Sequence, residues 1–278
     1  TEQRGSGDHA GAGKAHKRLM NKELETMDSI GFGGMKLIQG NGFRYGVDAV
    51  LLAGFTAGET GGRGMKRRKA PHILELGCGN GIVSVILSHK IPESTLLGVE
   101  IQAEEAERAC RNVKLNCLDK RIQIRKADVA SLGETALPEK FNAVVTNPPY
   151  FRRGGAIPND ASAKYIARHE TSADLDAFIR AAAAQLDRDG ELFMVHRPDR
   201  LVDICCSMRA QGLEPKELQM VMPFPETKPN ILLIHGVKGG NSELRVLPPI
   251  HVRETDGRYS DLIQRIYERN REDERESN

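Results

Sequence analysis

Four short apolar runs, each closed by residues suited to binding rather than packing, constrain this chain more than any other feature. They are HILEL, closed by GCGNG at residues 77–81; TLLGVE, closed by Glu100; IQIRKAD, closed by Asp128; and FNAVVTN, closed by Asn147. Helical patterns follow the first two runs. GIVSVILSHKI follows the glycines, and AEEAERACRNVKLN carries its acid early, where a helix N-terminus favours it. Alternating strands and helices build a parallel sheet, because a parallel neighbour must be reached by a crossover. Glycine turn, Glu, Asp and Asn then gather at one sheet edge, beyond the strand C-termini, where open α/β sheets hold ligands.

The pattern continues on both sides. SADLDAFIRAAAAQLDRDG reads as a helix with Ser172 as its N-cap and Gly190 as its stop, and ELFMVH reads as a fifth strand. A helix through Cys205 and Cys206 follows. LEPKELQMVMP and PNILLIHGVKG lie too close together for a crossover helix, so they pair as an antiparallel hairpin. Upstream, SIGFGGMKLIQGNGFRYG reads as short strands about an Asn41-Gly42 turn. VDAVLLAGFTAG is a helix with Asp48 near its start, and GGRGMKRRK is a flexible basic loop. The expected fold is α/β: a Rossmann-like, doubly wound, mostly parallel sheet with an antiparallel C-terminal hairpin.

Composition narrows the setting. With 278 residues, 39% of them hydrophobic, the chain suits one large soluble domain with appendages. No apolar run approaches the roughly 18–20 residues of a membrane span, and no signal-peptide pattern opens the sequence. The five cysteines are an odd number without C-x-x-C spacing, which argues against a disulfide framework or a metal site and for a reducing cytoplasm. Net charge is only +2, yet basic residues cluster at Lys14, His16, Lys17 and Arg18, at Lys66 to Lys69, and at Arg152 and Arg153. Any one cluster reads first as a solvated loop; their recurrence beside a ligand edge points to a polyanionic partner.

The glycine turn, with Glu75, Gly77, Gly79 and Gly81, departs from the dinucleotide pattern G-x-G-x-x-G, since Ile82 stands where the third glycine belongs. Glu100 lies about 23 residues beyond Gly77, near the spacing at which an acid takes hydrogen bonds from ribose hydroxyls. Asp128 is placed to accept from an adenine amino group. The turn Asn147-Pro148-Pro149-Tyr150 suits a different task. A planar amine is a poor nucleophile until its lone pair leaves conjugation, and two acceptors on its N–H groups favour that change. The Asn147 amide oxygen and the Pro148 carbonyl can serve, held on aim by two prolines. Tyr150 can stack on a flat substrate, a contact worth on the order of 1–3 kcal/mol for a base. No strong base is required.

These motifs resemble the class I S-adenosylmethionine-dependent methyltransferases, and the four-residue turn resembles that of their amino-methylating members. Such enzymes act on adenine N6, cytosine N4 or a glutamine side chain. IGFGGMKLIQGNGFRYGVDAVLLAGF, LELGCGNGIVSVIL, NPPYF with Arg152 and Arg153, and ARHE at residues 167–170 are together similar to the tRNA1(Val) adenine-N6 methyltransferase family, over about residues 28–237. The resemblance implies methylation of an adenine beside the anticodon of a tRNA, or of another structured RNA, in the cytoplasm. Glutamine methylation of a translation factor, and RNA binding without catalysis, stay open as alternatives. It implies S-adenosylmethionine as cofactor, held by Glu75, Gly77, Gly79, Gly81, Glu100, Ile101, Asp128, Val129, Asn147, Tyr45 and Asp48. Catalysis falls to Asn147, Pro148, Pro149 and Tyr150. Substrate contacts fall to Tyr150, Phe151, Arg152, Arg153 and His169, the last as a contact rather than a base. Phe43 and Arg44 share the upstream segment expected to fold over the methionine end. His196 reads as a core or edge histidine. The implied division is a disordered basic stretch at 1–25, a methyltransferase domain at 26–250 with its covering segment at 26–70, and a helical tail at 251–278.

Overall fold

The computed structural model describes residues 25–40, 45–150 and 175–268. β1 (Glu25–Gly31) and β2 (Met35–Gly40) pair antiparallel. Between them Gly31, Phe32, Gly33 and Gly34 all have φ between 48° and 81°. Three glycines in four residues supply that left-handed run, so the hairpin turns here rather than at Asn41-Gly42. Residues 41–44 lie outside the described residues. Glu25, expected in the disordered stretch, instead opens β1, where Arg111 (2.7 Å) and Arg108 (3.0 Å) hold its carboxylate.

The remaining elements alternate as expected: α1 (Val47–Ala57), β3 (His72–Leu76), α2 (Ile82–Lys90), β4 (Thr95–Glu100), α3 (Ala103–Leu115), β5 (Ile122–Lys126), α4 (Val129–Leu132), β6 (Phe141–Thr146), α5 (Leu175–Gln185), β7 (Leu186–His196), α6 (Leu201–Ala210), β8 (Leu213–Met222) and β9 (Ile231–Lys238). Strands lie in the order β5-β4-β3-β6-β7-β9-β8. Neighbours from β5 to β7 are parallel, while β9 runs antiparallel to both β7 and β8. The order reverses between β3 and β6, which opens a crevice beyond their C-terminal ends. Successive side chains on each strand face opposite layers. Ile73, Val145 and Phe193 pack with α1 and α2, while Leu74, Val144 and Met194 pack with α5 and α6.

Three expectations are corrected. The helix before β7 stops at Gln185, whose side chain bonds Leu132 O (2.6 Å) and Leu137 N (2.8 Å), and Gly190 lies inside β7. Ser172 is outside the described residues. The basic loop is a strap rather than a loose solvated segment. Met65 is fully buried beneath it, Arg67 and Arg68 pair with Glu191, and Lys66 pairs with Glu59. Finally, the expected helical tail does contain a helix, α7 (Asp261–Tyr267), but the tail's described part, residues 251–268, is packed onto the domain. β10 (Arg245–Val246) and β11 (Ile250–His251) both add to β8, and α7 sinks Ile263 and Ile266 into the core.

Candidate active site

β3 and β6 meet at the crevice, where Thr146 Oγ1 donates to Leu76 O at 2.9 Å and fixes the two strand ends level. The glycine turn leaves β3 with Gly77, Gly79 and Gly81 at φ of 71°, 52° and 83°. A Cβ on Gly77 would press within 3.2 Å of Phe178, whereas one on Gly79 would meet nothing within 4 Å. Backbone at Gly79 therefore borders open space, as close approach to a ligand requires. Glu100 faces the same place. Its Oε2 accepts from Gly79 N and its Oε1 from Gln102 N, each at 2.9 Å, so the carboxylate is held rigid with lone pairs to spare for hydroxyl donors. Asp128 accepts from Ala130 N at 2.9 Å through Oδ1 alone and caps α4. These features fit the ribose and adenine of S-adenosylmethionine.

Other expected cofactor residues sit differently. Glu75 is buried and turned toward α2, accepting from Ser84 N at 2.9 Å and from its hydroxyl. It supplies an acceptor that the N-cap Gly81 lacks. Burial, opposed by Ser84 and reinforced by Glu100, pushes its pKa up to about 8. Val129 packs into the core, and Ile101 is half-buried just past β4.

Two asparagines one helical turn apart, Asn112 on α3 and Asn116 at its C-cap, hold the upstream segment, and the first also ties it to the glycine turn. Asn112 is fully buried; its Oδ1 accepts from Ile38 N at 2.7 Å, and its Nδ2 donates to Ile38 O at 3.0 Å and to Asn80 O at 2.9 Å. Asn116 repeats the pattern on Lys36, at 2.9 Å to N and 2.8 Å to O. The helix thus presents β2 with side-chain amides where a sheet would present a neighbouring strand. From within β2, Gln39 Oε1 accepts from Tyr45 N at 2.9 Å, just before α1 begins. Asp48 in its first turn meets the Asn-Pro-Pro-Tyr turn.

That meeting is the centre of the site. The Tyr150 hydroxyl lies 2.8 Å from both Asp48 Oδ2 and Asn147 Oδ1. A phenol carries one proton, so it serves one of these oxygens at a time. Burial, with the Asp48 charge next, raises the Tyr150 pKa and keeps the hydroxyl protonated. Its ring packs edge-on against His196, with centroids 5.0 Å apart at 61°. Sequence reasoning did not place His196 here. Being the last residue of β7, beside the strand that launches the Asn-Pro-Pro-Tyr turn, is the signal that could have done so. Phe151, Arg152, Arg153 and His169 lie outside the described residues. Among the described residues no cluster suits a metal ion, and no helix is long and apolar enough to cross a membrane.

A doubly wound sheet with a glycine turn, a strand-end glutamate and an Asn-Pro-Pro-Tyr turn at its reversal point defines a class I S-adenosylmethionine-dependent methyltransferase. Comparison with known proteins agrees. Residues 63–203 match the methyltransferase small domain family. A tRNA1(Val) (adenine(37)-N6)-methyltransferase from Porphyromonas gingivalis is 30% identical over 196 residues, covering 70% of this chain and 74% of its own. A predicted O-methyltransferase from Agrobacterium tumefaciens superposes with a TM-score of 0.62 at 23% identity, over 80% of this chain and 95% of that one. A 16S rRNA N2 G1207 methyltransferase from Thermus thermophilus, in complex with AdoMet and guanosine, gives 0.52 at 21% identity, over 78% and 51% of the two chains. The chain belongs to the methyltransferase small domain family and groups within it with the tRNA1(Val) (adenine(37)-N6)-methyltransferases.

Proposed function

We propose that this enzyme methylates the N6 amine of an adenine in tRNA, next to the anticodon. The observation that carries the reading is the Asp48–Tyr150–Asn147 contact at the reversal point of the sheet. The name of the Porphyromonas relative supports adenine N6 over other amines. S-adenosylmethionine, when bound, supplies an electrophilic methyl group. The protein's own work is to hold the amine in line and take its protons as hydrogen bonds. Asn147 Oδ1 and the Pro148 carbonyl are the two acceptors. Asp48 makes the first of them available, because a carboxylate outcompetes an amide for the single Tyr150 proton. Tyr150, once its hydroxyl follows Asp48, offers its ring to the base. Glu100 and Asp128 hold the ribose and adenine of the cofactor. The amine nitrogen becomes acidic as it is alkylated, so its proton leaves to water without a dedicated base. A substrate of this kind places the enzyme in the cytoplasm.

The test is transfer of labelled methyl from S-adenosylmethionine to total tRNA and, separately, to a protein extract, followed by nucleoside mass spectrometry. N6-methyladenosine in tRNA is the expected result. Label confined to protein would overturn the reading in favour of a side-chain amide acceptor.

A further inference from the structure

His196 closes β7 with its ring buried against Tyr150. Its Nδ1 accepts from Arg197 N at 2.8 Å, so in the neutral ring the proton resides on Nε2. Nε2 is buried as well and has no hydrogen-bond partner among the described residues. Burial, then the charge of Arg200, pushes the ring pKa down to about 4, which leaves a neutral N–H donor at working pH. Buried donors are almost always satisfied, and one left without an acceptor on a ring packed against Tyr150 calls for an acceptor that the ligand brings. Thr56 and Thr60 also carry buried hydroxyls without a partner among the described residues, but neither makes a hydrogen bond to the catalytic turn among those residues.

We propose that His196 is a specificity-determining residue, donating from Nε2 to a ring nitrogen of the target adenine that lies beside its amine. The inference rests on the function proposed above. Adenine offers two such acceptors, N1 and N7, on either side of its amine. Asn147 and Pro148 provide acceptors for the amine itself, and a fixed donor beside them completes the complement of an adenine edge. Guanine has a carbonyl in place of the amine and an N–H at N1. It would set acceptor against acceptor at Asn147 and, at the N1 edge, donor against donor.

The test uses the tRNA that the transfer assay identifies, assembled by ligation with adenosine, 1-deazaadenosine or 7-deazaadenosine at the modified position. His196→Phe keeps a ring and loses the donor; His196→Gln restores a donor. On adenosine, kcat/KM should fall ten- to hundredfold in His196→Phe and recover in large part in His196→Gln. On the analogue lacking the contacted nitrogen, wild type and His196→Phe should agree within about twofold, while the other analogue keeps the full penalty. An equal penalty on all three RNAs would mean that His196 only props Tyr150, and no penalty on adenosine would mean no contact; either result overturns the inference. Should His196→Phe fail to fold, wild type alone decides. A tenfold or larger loss on one analogue supports the contact, and equal kcat/KM on all three overturns it. If no tRNA is methylated by wild type, the proposed function falls and the inference with it.

Discussion

Tyr150 has one proton and two oxygens within 2.8 Å to receive it, and which one takes it decides what Asn147 can do. Asp48→Asn replaces the stronger acceptor with an amide equal to that of Asn147. The phenol proton then stays on Asn147 part of the time and competes with the substrate amine. Single-turnover transfer should slow by roughly tenfold, the ratio that about 1.4 kcal/mol corresponds to. Tyr150→Phe removes the competing proton but keeps the ring, so it should tolerate the loss of Asp48. The pair Asp48→Asn with Tyr150→Phe should be no slower than Tyr150→Phe alone. Additive losses would contradict this account. At this scale the sequence spoke clearly wherever function sits in a local motif. Glu100 and Asn147 follow strands whose ends could be counted, and the backbone alone delivers them to the crevice. Asp48 was legible as a residue near a helix start, but its contact with Tyr150 spans 102 positions and no local pattern encodes it. His196 is the buried histidine its strand position implies, but its packing on Tyr150 was hidden for the same reason, because its neighbour across the sheet is not its neighbour in the chain.

The elements that carry these residues are coupled through α3. Asn112 holds Ile38 on β2 and Asn80 in the glycine turn at once, whereas Asn116 holds only β2 and its own helix. Asn112→Leu leaves three buried backbone groups without partners, each costing roughly 1–3 kcal/mol. It should lower thermal stability and also raise the KM for S-adenosylmethionine. Asn116→Ala, at a half-buried site, should cost about 1 kcal/mol and leave cofactor affinity nearly unchanged. Titration calorimetry with the cofactor, beside thermal melts, separates the two; equal loss of affinity in both variants would contradict the link to the glycine turn. Strands and helices were readable because hydrophobic period and turn residues are local signals. The site of the β1–β2 turn was not, since Asn41-Gly42 and the glycines after Ile30 are both good turn formers. Only docking on α3 chooses between registers. Asn112 itself resembles any polar helix residue until β2 is seen beside it.

Across the whole molecule, charge that looked available to a polyanion is partly committed to the fold. Glu191 gathers Arg67, Arg68 and His235. Burial alone would raise its pKa, but His235 and Arg67 override that and pull it from 4.5 down to about 2. Because the folded value lies below the unfolded one, this carboxylate contributes stability that is complete above about pH 4.5 and lost as pH falls toward 2. Glu191→Gln should therefore destabilise the protein at pH 7 by about 3–5 kcal/mol, as breaking a buried pair does, and by less at pH 3. Melting curves across that range would show the gap between variant and wild type narrowing as acid is added; a constant gap would contradict the assignment. Composition could not reveal this, because a run such as MKRRK looks the same whether it faces solvent or a buried carboxylate. The overall topology was legible, since alternating elements and short connections leave few alternatives to a doubly wound sheet.

The claim at the centre is that Asn147 acts on the amine and not on the cofactor. Asn147→Ala, measured for S-adenosylmethionine affinity by calorimetry and for single-turnover methyl transfer to tRNA, tests it most directly. Transfer should fall by at least a hundredfold, the scale of about 2.7–4 kcal/mol lost with a transition-state hydrogen bond, while cofactor affinity changes less than threefold. Transfer that survives, or a loss explained wholly by weaker cofactor binding, would contradict it.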